Sequence, residues 1–127
     1  MTRPVVSVGT ACTALTEKNW HLVEEMTERL KELKPYKITL FGSYARGNPT
    51  GDSDLDVVVI LDSDDFVKNF AEKMDRKKPV VVSIRNIRYQ IPIDVKVYSK
   101  AEFGYLEEQN NFFINEINET GKVLYKR

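Results

Sequence analysis

Leu55-Asp56-Val57-Val58-Val59-Ile60-Leu61 is apolar at every position but one, and it is rich in β-branched residues. Such a run favours a strand over a helix. Its side chains point alternately to the two faces of a sheet, so apolar residues at both phases require cover on both faces. A short central strand packed between helices is the arrangement that meets this demand, which sets the class as α/β. The charge sits at the head of the strand. Asp54 and Asp56 are two apart, so both carboxylates face one way. Two adjacent carboxylates repel each other, and a cation such as Mg²⁺ is what makes them stable together.

Upstream, Ile38 to Phe41 is a second strand signal, and it runs straight into Gly42-Ser43. A glycine there lets backbone approach a bound phosphate with no Cβ in the way. The Ser43 hydroxyl and the free N–H groups of a following helical turn, Tyr44 to Arg46, are phosphate donors. Ten residues separate Ser43 from Asp54. Gly47-Asn48-Pro49-Thr50-Gly51 reads as a loop by its breakers.

The remaining elements follow from periodicity. Residues 1–15 carry no clear period and are expected to be irregular or a short edge strand. Glu17 to Lys34 is expected to be an amphipathic helix, with Leu22, Met26, Leu30 and Leu33 inward, Thr16 as its cap and Pro35 at its end. Ser63-Asp64-Asp65 suggests the start of a helix that turns Phe66, Phe70 and Met74 inward. Lys78 to Gln90 favours helix over strand, because Val80, Ile84, Ile87 and Ile91 recur at helical spacing, with Pro79 at a first helical position. Ile93 to Tyr98 alternates as a strand, with Asp94, Lys96 and Tyr98 on one side. Ser99 and Glu102 have capping-box spacing. A last helix over residues 100–121 carries Phe103, Leu106, Phe113 and Ile117 on one face.

Composition narrows the function classes. The chain has 127 residues, with Lys+Arg and Asp+Glu both 19, giving zero net charge. This length suits one domain over residues 1–127, with no second domain to hold a substrate. Neutrality argues against an ordinary nucleic-acid surface. The single Cys12 excludes an internal disulfide and a cysteine zinc site. No run of about 18 apolar residues is present, so no membrane span is expected, and the reading is of a reduced, cytoplasmic protein. His21, Trp20, Phe112 and Tyr125 read as surface, core or interface residues. Arg76-Lys77-Lys78, with Arg85 and Arg88, reads as a solvated face, a partner contact being the lesser alternative.

Asp94 gains meaning if its strand lies beside that of Asp54 and Asp56. Three carboxylates on one face can hold two divalent cations, which stabilise both the attacking and the leaving oxygen of a phosphoryl displacement. An ordinary exposed strand residue is the competing reading of Asp94. Arg46 either touches phosphates or pins the loop through a carboxylate.

Gly42-Ser43, ten residues, Asp54-x-Asp56 and a later-strand Asp94 resemble the nucleotidyltransferase superfamily that includes DNA polymerase beta. The flanks Gly42-Ser43-Tyr44-Ala45-Arg46-Gly47 and Asp52-Ser53-Asp54-Leu55-Asp56-Val57 are similar to its minimal prokaryotic branch. Many members of that branch are encoded beside a HEPN-domain protein, and some are antitoxins that transfer AMP from ATP onto a tyrosine of the partner toxin. The resemblance implies a short mixed sheet flanked by helices and Mg²⁺-dependent binding of a nucleoside triphosphate. By family role, Asp54, Asp56 and Asp94 would be catalytic and hold metal, and Gly42, Ser43 and Arg46 would hold the nucleotide. A HEPN-type partner or a homodimer would complete the unit. Transfer to a small antibiotic-type molecule or an RNA end, and a non-catalytic antitoxin, remain alternatives.

Overall fold

The computed structural model describes residues 11–47 and 54–127, with side chains of the first helix from Asn19 onward. The elements in order are α1 (Ala11–Lys31), β1 (Lys37–Phe41), α2 (Ser43–Arg46), β2 (Leu55–Leu61), α3 (Phe70–Ser83), α4 (Arg85–Arg88), β3 (Ile93–Ser99), α5 (Lys100–Glu108), α6 (Phe112–Thr120) and β4 (Lys122–Lys126). The four strands form one mixed sheet in the order β3-β2-β1-β4. β2 runs parallel to β3 and antiparallel to β1, and β4 runs antiparallel to β1. This is the expected α/β class with a short mixed sheet flanked by helices. Among the described residues no helix is long and apolar enough to cross a membrane.

β2 is central and covered on both faces, as its composition requires. On one face Leu55, Val57 and Val59 pack with Ile38, Leu40, Ile93 and Val95 against Leu22, Val23, Met26 and Leu30 of α1, Val80 of α3 and Ile87 of α4. On the other face Val58 and Ile60 pack against Phe103 of α5 and Ile114 and Ile117 of α6. Trp20 and Tyr125 border the first core, whereas His21 is exposed beside Glu24.

Several boundaries differ from the sequence reading. α1 begins at Ala11, so Thr16 lies inside the helix rather than capping it. Lys34 takes a left-handed φ of 55° before Pro35, which closes the turn after α1. α3 starts at Phe70, not near Ser63, because Asn69 is its cap and accepts from the Glu72 amide. Ser63 instead accepts from the Asp65 amide in a local turn. Phe66, Phe70 and Met74 are exposed rather than inward, and Phe66 lies ahead of α3 with its ring beside Tyr105 of α5. Residues 78–90 are helical, but Pro79 lies within α3 rather than at a first position, and the helix breaks at Ile84 before α4. The segment 100–121 is two helices. Asn110 adopts φ 57° between them, and Asn111 caps α6 by accepting from the Ile114 amide. β4 has no counterpart in the sequence reading. Residues 1–15 were expected to be irregular; 11–15 are helical, and 1–10, like most of the 47–51 loop, lie outside the described residues.

Arg76 is not part of a solvated face. Its side chain and that of Glu102 are only 13% and 12% exposed and form an ion pair. Glu102 also accepts from the Val67 amide at 2.8 Å and the Ser99 amide at 3.0 Å, while Ser99 Oγ accepts from the Glu102 amide at 3.1 Å. One carboxylate thereby joins the β2–α3 connection, α3 and the start of α5. Burial by itself raises the Glu102 pKa, but the Ser99 and Val67 amides and the Arg76 guanidinium outweigh it and hold the group below its ordinary value. A depressed carboxylate pKa stabilises the fold above that ordinary value, and the stabilisation is lost as pH falls through the folded value. Glu102→Gln is therefore expected to cost about 3 kcal/mol in urea denaturation at neutral pH, because it removes the charged partner of a largely buried guanidinium. The difference from the parent chain should shrink as pH falls below 4.5, the ordinary glutamate value. A deficit that does not change with pH would rule out the carboxylate as its cause.

Candidate functional site

The site is built where the C-terminal end of β1 meets the N-terminal ends of β2 and β3. Antiparallel pairing puts Phe41 opposite Asp56, and parallel pairing puts Asp56 opposite Asp94. Alternation then aligns Asp56, Val58 and Ile60 on one face, next to Asp94, Lys96 and Tyr98. α5 and α6 cover Ile60 and Val58 on this face, but Asp56 remains only half-buried at its open end.

Gly42 turns the chain from β1 into α2 with φ 76° and ψ −155°, a conformation open essentially to glycine alone. A Cβ at this position would collide with the Asp56 carboxylate. The turn therefore brings bare backbone against a carboxylate, with Ser43 immediately after it at the start of α2. Tyr44 anchors this short helix. It is 1% exposed, its ring meets Trp20 edge to face at 6.0 Å, and its hydroxyl accepts a 2.5 Å hydrogen bond from Asn19 Nδ2 of α1. Burial raises the Tyr44 pKa, against the Asn19 bond, so the phenol stays protonated. A cleft of about 220 Å³ adjoins Gly42, between Phe41 and Phe113, Glu116, Ile117 and Thr120 of α6.

The electrostatics of Asp56 report how the carboxylates lie. Its pKa is raised, first by burial, then by the charges of Asp94 and Asp54; Lys96 and Arg46 act in the opposite direction. Asp54 and Asp94 are both exposed and line another, larger cleft together, and Asp94 lies 3.7 Å from Lys96. Arg46 reaches Glu116 at 4.0 Å and also contributes to the field at Asp56. Among the described residues no three ligand side chains are gathered around a single metal position. The donor set nevertheless fits a hard cation, because the oxygens are all carboxylate and their mutual repulsion is only partly offset. The sequence reading singled out Gly42, Ser43, Arg46, Asp54, Asp56 and Asp94, and the fold gathers them at one end of the sheet. It left out Lys96 and Glu116. The strand alternation already placed Lys96 beside Asp94, whereas Glu116 comes from a distant helix.

The burial of the Asp56 charge, together with this repulsion, has a measurable cost. A carboxyl whose folded pKa is raised destabilises the native state above that pKa and ceases to do so once protonated. In metal-free buffer at neutral pH, Asp56→Asn is expected to raise the urea midpoint, and the gain should fade as pH drops through the folded pKa of Asp56. An unchanged or lowered midpoint at neutral pH would mean that neither burial nor the neighbouring carboxylates make the Asp56 charge costly.

The nucleotidyltransferase domain family model matches residues 23–125, which includes the Gly42-Ser43 turn and all three strand-end aspartates. Two candidate protein adenylyltransferases of Methanocaldococcus jannaschii are similar to the chain. One is 34% identical over 90 residues, covering 70% of this chain and 77% of the relative. The other is 30% identical over 78 residues, covering 60% and 73%. The crystal structure of a candidate nucleotidyltransferase from Sulfolobus solfataricus has the same fold, with a TM-score of 0.61 and 16% identity over 97% of this chain and 94% of that one. With this fold, and with the matching segment spanning most of its length, the chain belongs to the nucleotidyltransferase domain family.

Proposed function

We propose that the chain transfers AMP from ATP to a hydroxyl on a partner protein and releases pyrophosphate. The observation that carries this reading is the register of Asp56 against Asp94, with Asp54 in the same electrostatic field and the Gly42 backbone against the Asp56 carboxylate. The names of the two M. jannaschii relatives support a protein as acceptor. The resemblance to the minimal prokaryotic branch supports a HEPN-type toxin as that partner and an antitoxin role for this chain. Phe112 fits a docking role: it is 82% exposed, while Phe113 turns inward against Phe41 with ring centroids 5.4 Å apart.

Gly42 and Ser43 would hold the terminal phosphates through backbone N–H groups and the hydroxyl, with Arg46 nearby. Asp54, Asp56 and Asp94 would hold Mg²⁺, which neutralises triphosphate charge and lowers the pKa of a bound hydroxyl. The acceptor oxygen forms a bond to the α-phosphorus. The bond from that phosphorus to the β-bridging oxygen breaks, and pyrophosphate leaves with its electron pair. Asp94 takes the acceptor proton.

Calorimetry with ATP is expected to show Mg²⁺-dependent binding that Asp54→Ala combined with Asp56→Ala removes. Asp94→Asn should keep the fold and lower transfer by about 10²–10⁴-fold, the usual contribution of a positioned base. Transfer is read as the mass of one or more AMP groups on the protein encoded by the adjacent gene after co-expression. Undiminished ATP binding by the double variant would remove the site assignment. Efficient modification of a free small molecule by the isolated chain would instead favour the antibiotic-type alternative.

A further inference from the structure

Beyond the N-terminal ends of β2 and β3 lies an open cleft of about 620 Å³ whose walls carry opposite charge. Asp54 and Asp94 line it from the strand ends, and Arg85, Arg88 and Tyr89 from α4 and its C-terminal end, which makes a basic wall. The basic wall is held rigidly from behind, since Ile84, Ile87 and Ile91 are buried in the core. Arg85 and Arg88, one turn apart on α4, stay exposed, and Tyr89 is 82% exposed. Among the described residues neither guanidinium is within ion-pair distance of a carboxylate, although two carboxylates line the same cleft. The nearest cation to Asp94 is Lys96 on its own strand. Arg85 and Arg88 are thus not the counter-ions of the aspartates.

The sheet order gives this wall a direction. Gly42 and Ser43 follow β1, which lies on one side of β2, whereas β3 and the basic wall lie on the other. Phosphates held at Gly42 and Ser43 would sit across the aspartates from the arginines. That placement would leave the open side next to Asp94 for an acceptor hydroxyl. We propose that this cleft receives the acceptor, and that Arg85 and Arg88 recognise an acidic peptide segment flanking the hydroxyl to be modified. The proposal rests on the transfer reading above and adds to it the charge of the acceptor. Planar guanidinium groups suit carboxylates bidentately, and Tyr89 offers a flat surface for peptide backbone or side chains. A polynucleotide fits less well, because two arginines neutralise few phosphates.

The test compares two fluorescein-labelled peptides by anisotropy on the full chain with Mg²⁺ present: a tyrosine flanked by glutamates, and the same peptide with glutamines. The acidic peptide is expected to bind roughly tenfold more tightly or better, the scale of a few charge-assisted contacts. Arg85→Gln with Arg88→Gln should abolish the preference, and Arg85→Glu with Arg88→Glu should reverse it toward a lysine-flanked peptide. Equal binding of the two peptides by the parent chain, or a preference that survives the variants, overturns the proposal. Tighter binding of a single-stranded oligonucleotide of matched charge overturns it in favour of a polynucleotide. Calorimetry with Mg²⁺ and ATP on the glutamine variant should match the parent chain, and a loss there would assign the arginines to the triphosphate and overturn it too. If the parent chain fails to bind ATP while keeping the acidic preference, it is the transfer reading that fails.

Discussion

The site depends on the parallel register of β2 with β3. Asp56 faces Asp94 only in this register, and a slip of one residue would turn one of the two carboxylates into the core. Apolar burial beneath the site holds the alignment. Leu55, Val57 and Val59 on one strand and Ile93 and Val95 on the other are all buried on the opposite face. The pairing is extended at its start by a 3.0 Å bond from the Leu55 amide to the Pro92 carbonyl. An apolar layer made of chemically simple residues thus sets the spacing of the charges above it. The Gly42 turn is bound to the same register through Phe41, which is paired with Asp56.

The arrangement concentrates conflict in one place. Asp56 is half-buried between two other carboxylates, and glycine backbone presses on it from the β1 side. By contrast, Glu102 is fully engaged, and the Tyr44 hydroxyl has Asn19. Local strain in a consistent surround is the pattern expected where binding of a cation and a polyanion is to supply what the free protein lacks.

Much of this was legible from local patterns. β2 could be read because its apolar run suits no other element of that length, and the Ser99–Glu102 capping box because it is a contact within one turn. The failures were failures of context. Phe66, Phe70 and Met74 match helical spacing, but spacing does not reveal whether a neighbour exists to bury them; the better signal was Asn69 with Glu72 at capping distance. The break in the C-terminal helix was written in Asn110-Asn111, residues that tolerate a left-handed turn and cap a new helix. Arg76 pairs with Glu102 across the fold, and β4 is a short strand with lysines at both ends that pairs with β1 from far along the chain. Neither leaves a local trace. For the site, Asp54 and Asp56 stood out by spacing, whereas the placement of Asp94 beside Asp56 depended on strand order.

Among the described residues β3 is an edge strand, with one side of its backbone unpaired. An unpaired edge invites a strand from another molecule, and charged side chains on the edge are a common guard against that. Ile93, Val95 and Val97 alternate with Asp94 and Lys96, so these two charged residues are what keep the outward face of the strand from being sticky. A charge at Asp94 therefore has a use on the edge that is independent of the proton-accepting role proposed for it. Selection that relaxed the chemistry would still act on a charge at this position, so the persistence of an acidic residue here in a relative is weaker evidence of retained catalysis than the persistence of Asp56, which lies on an interior strand.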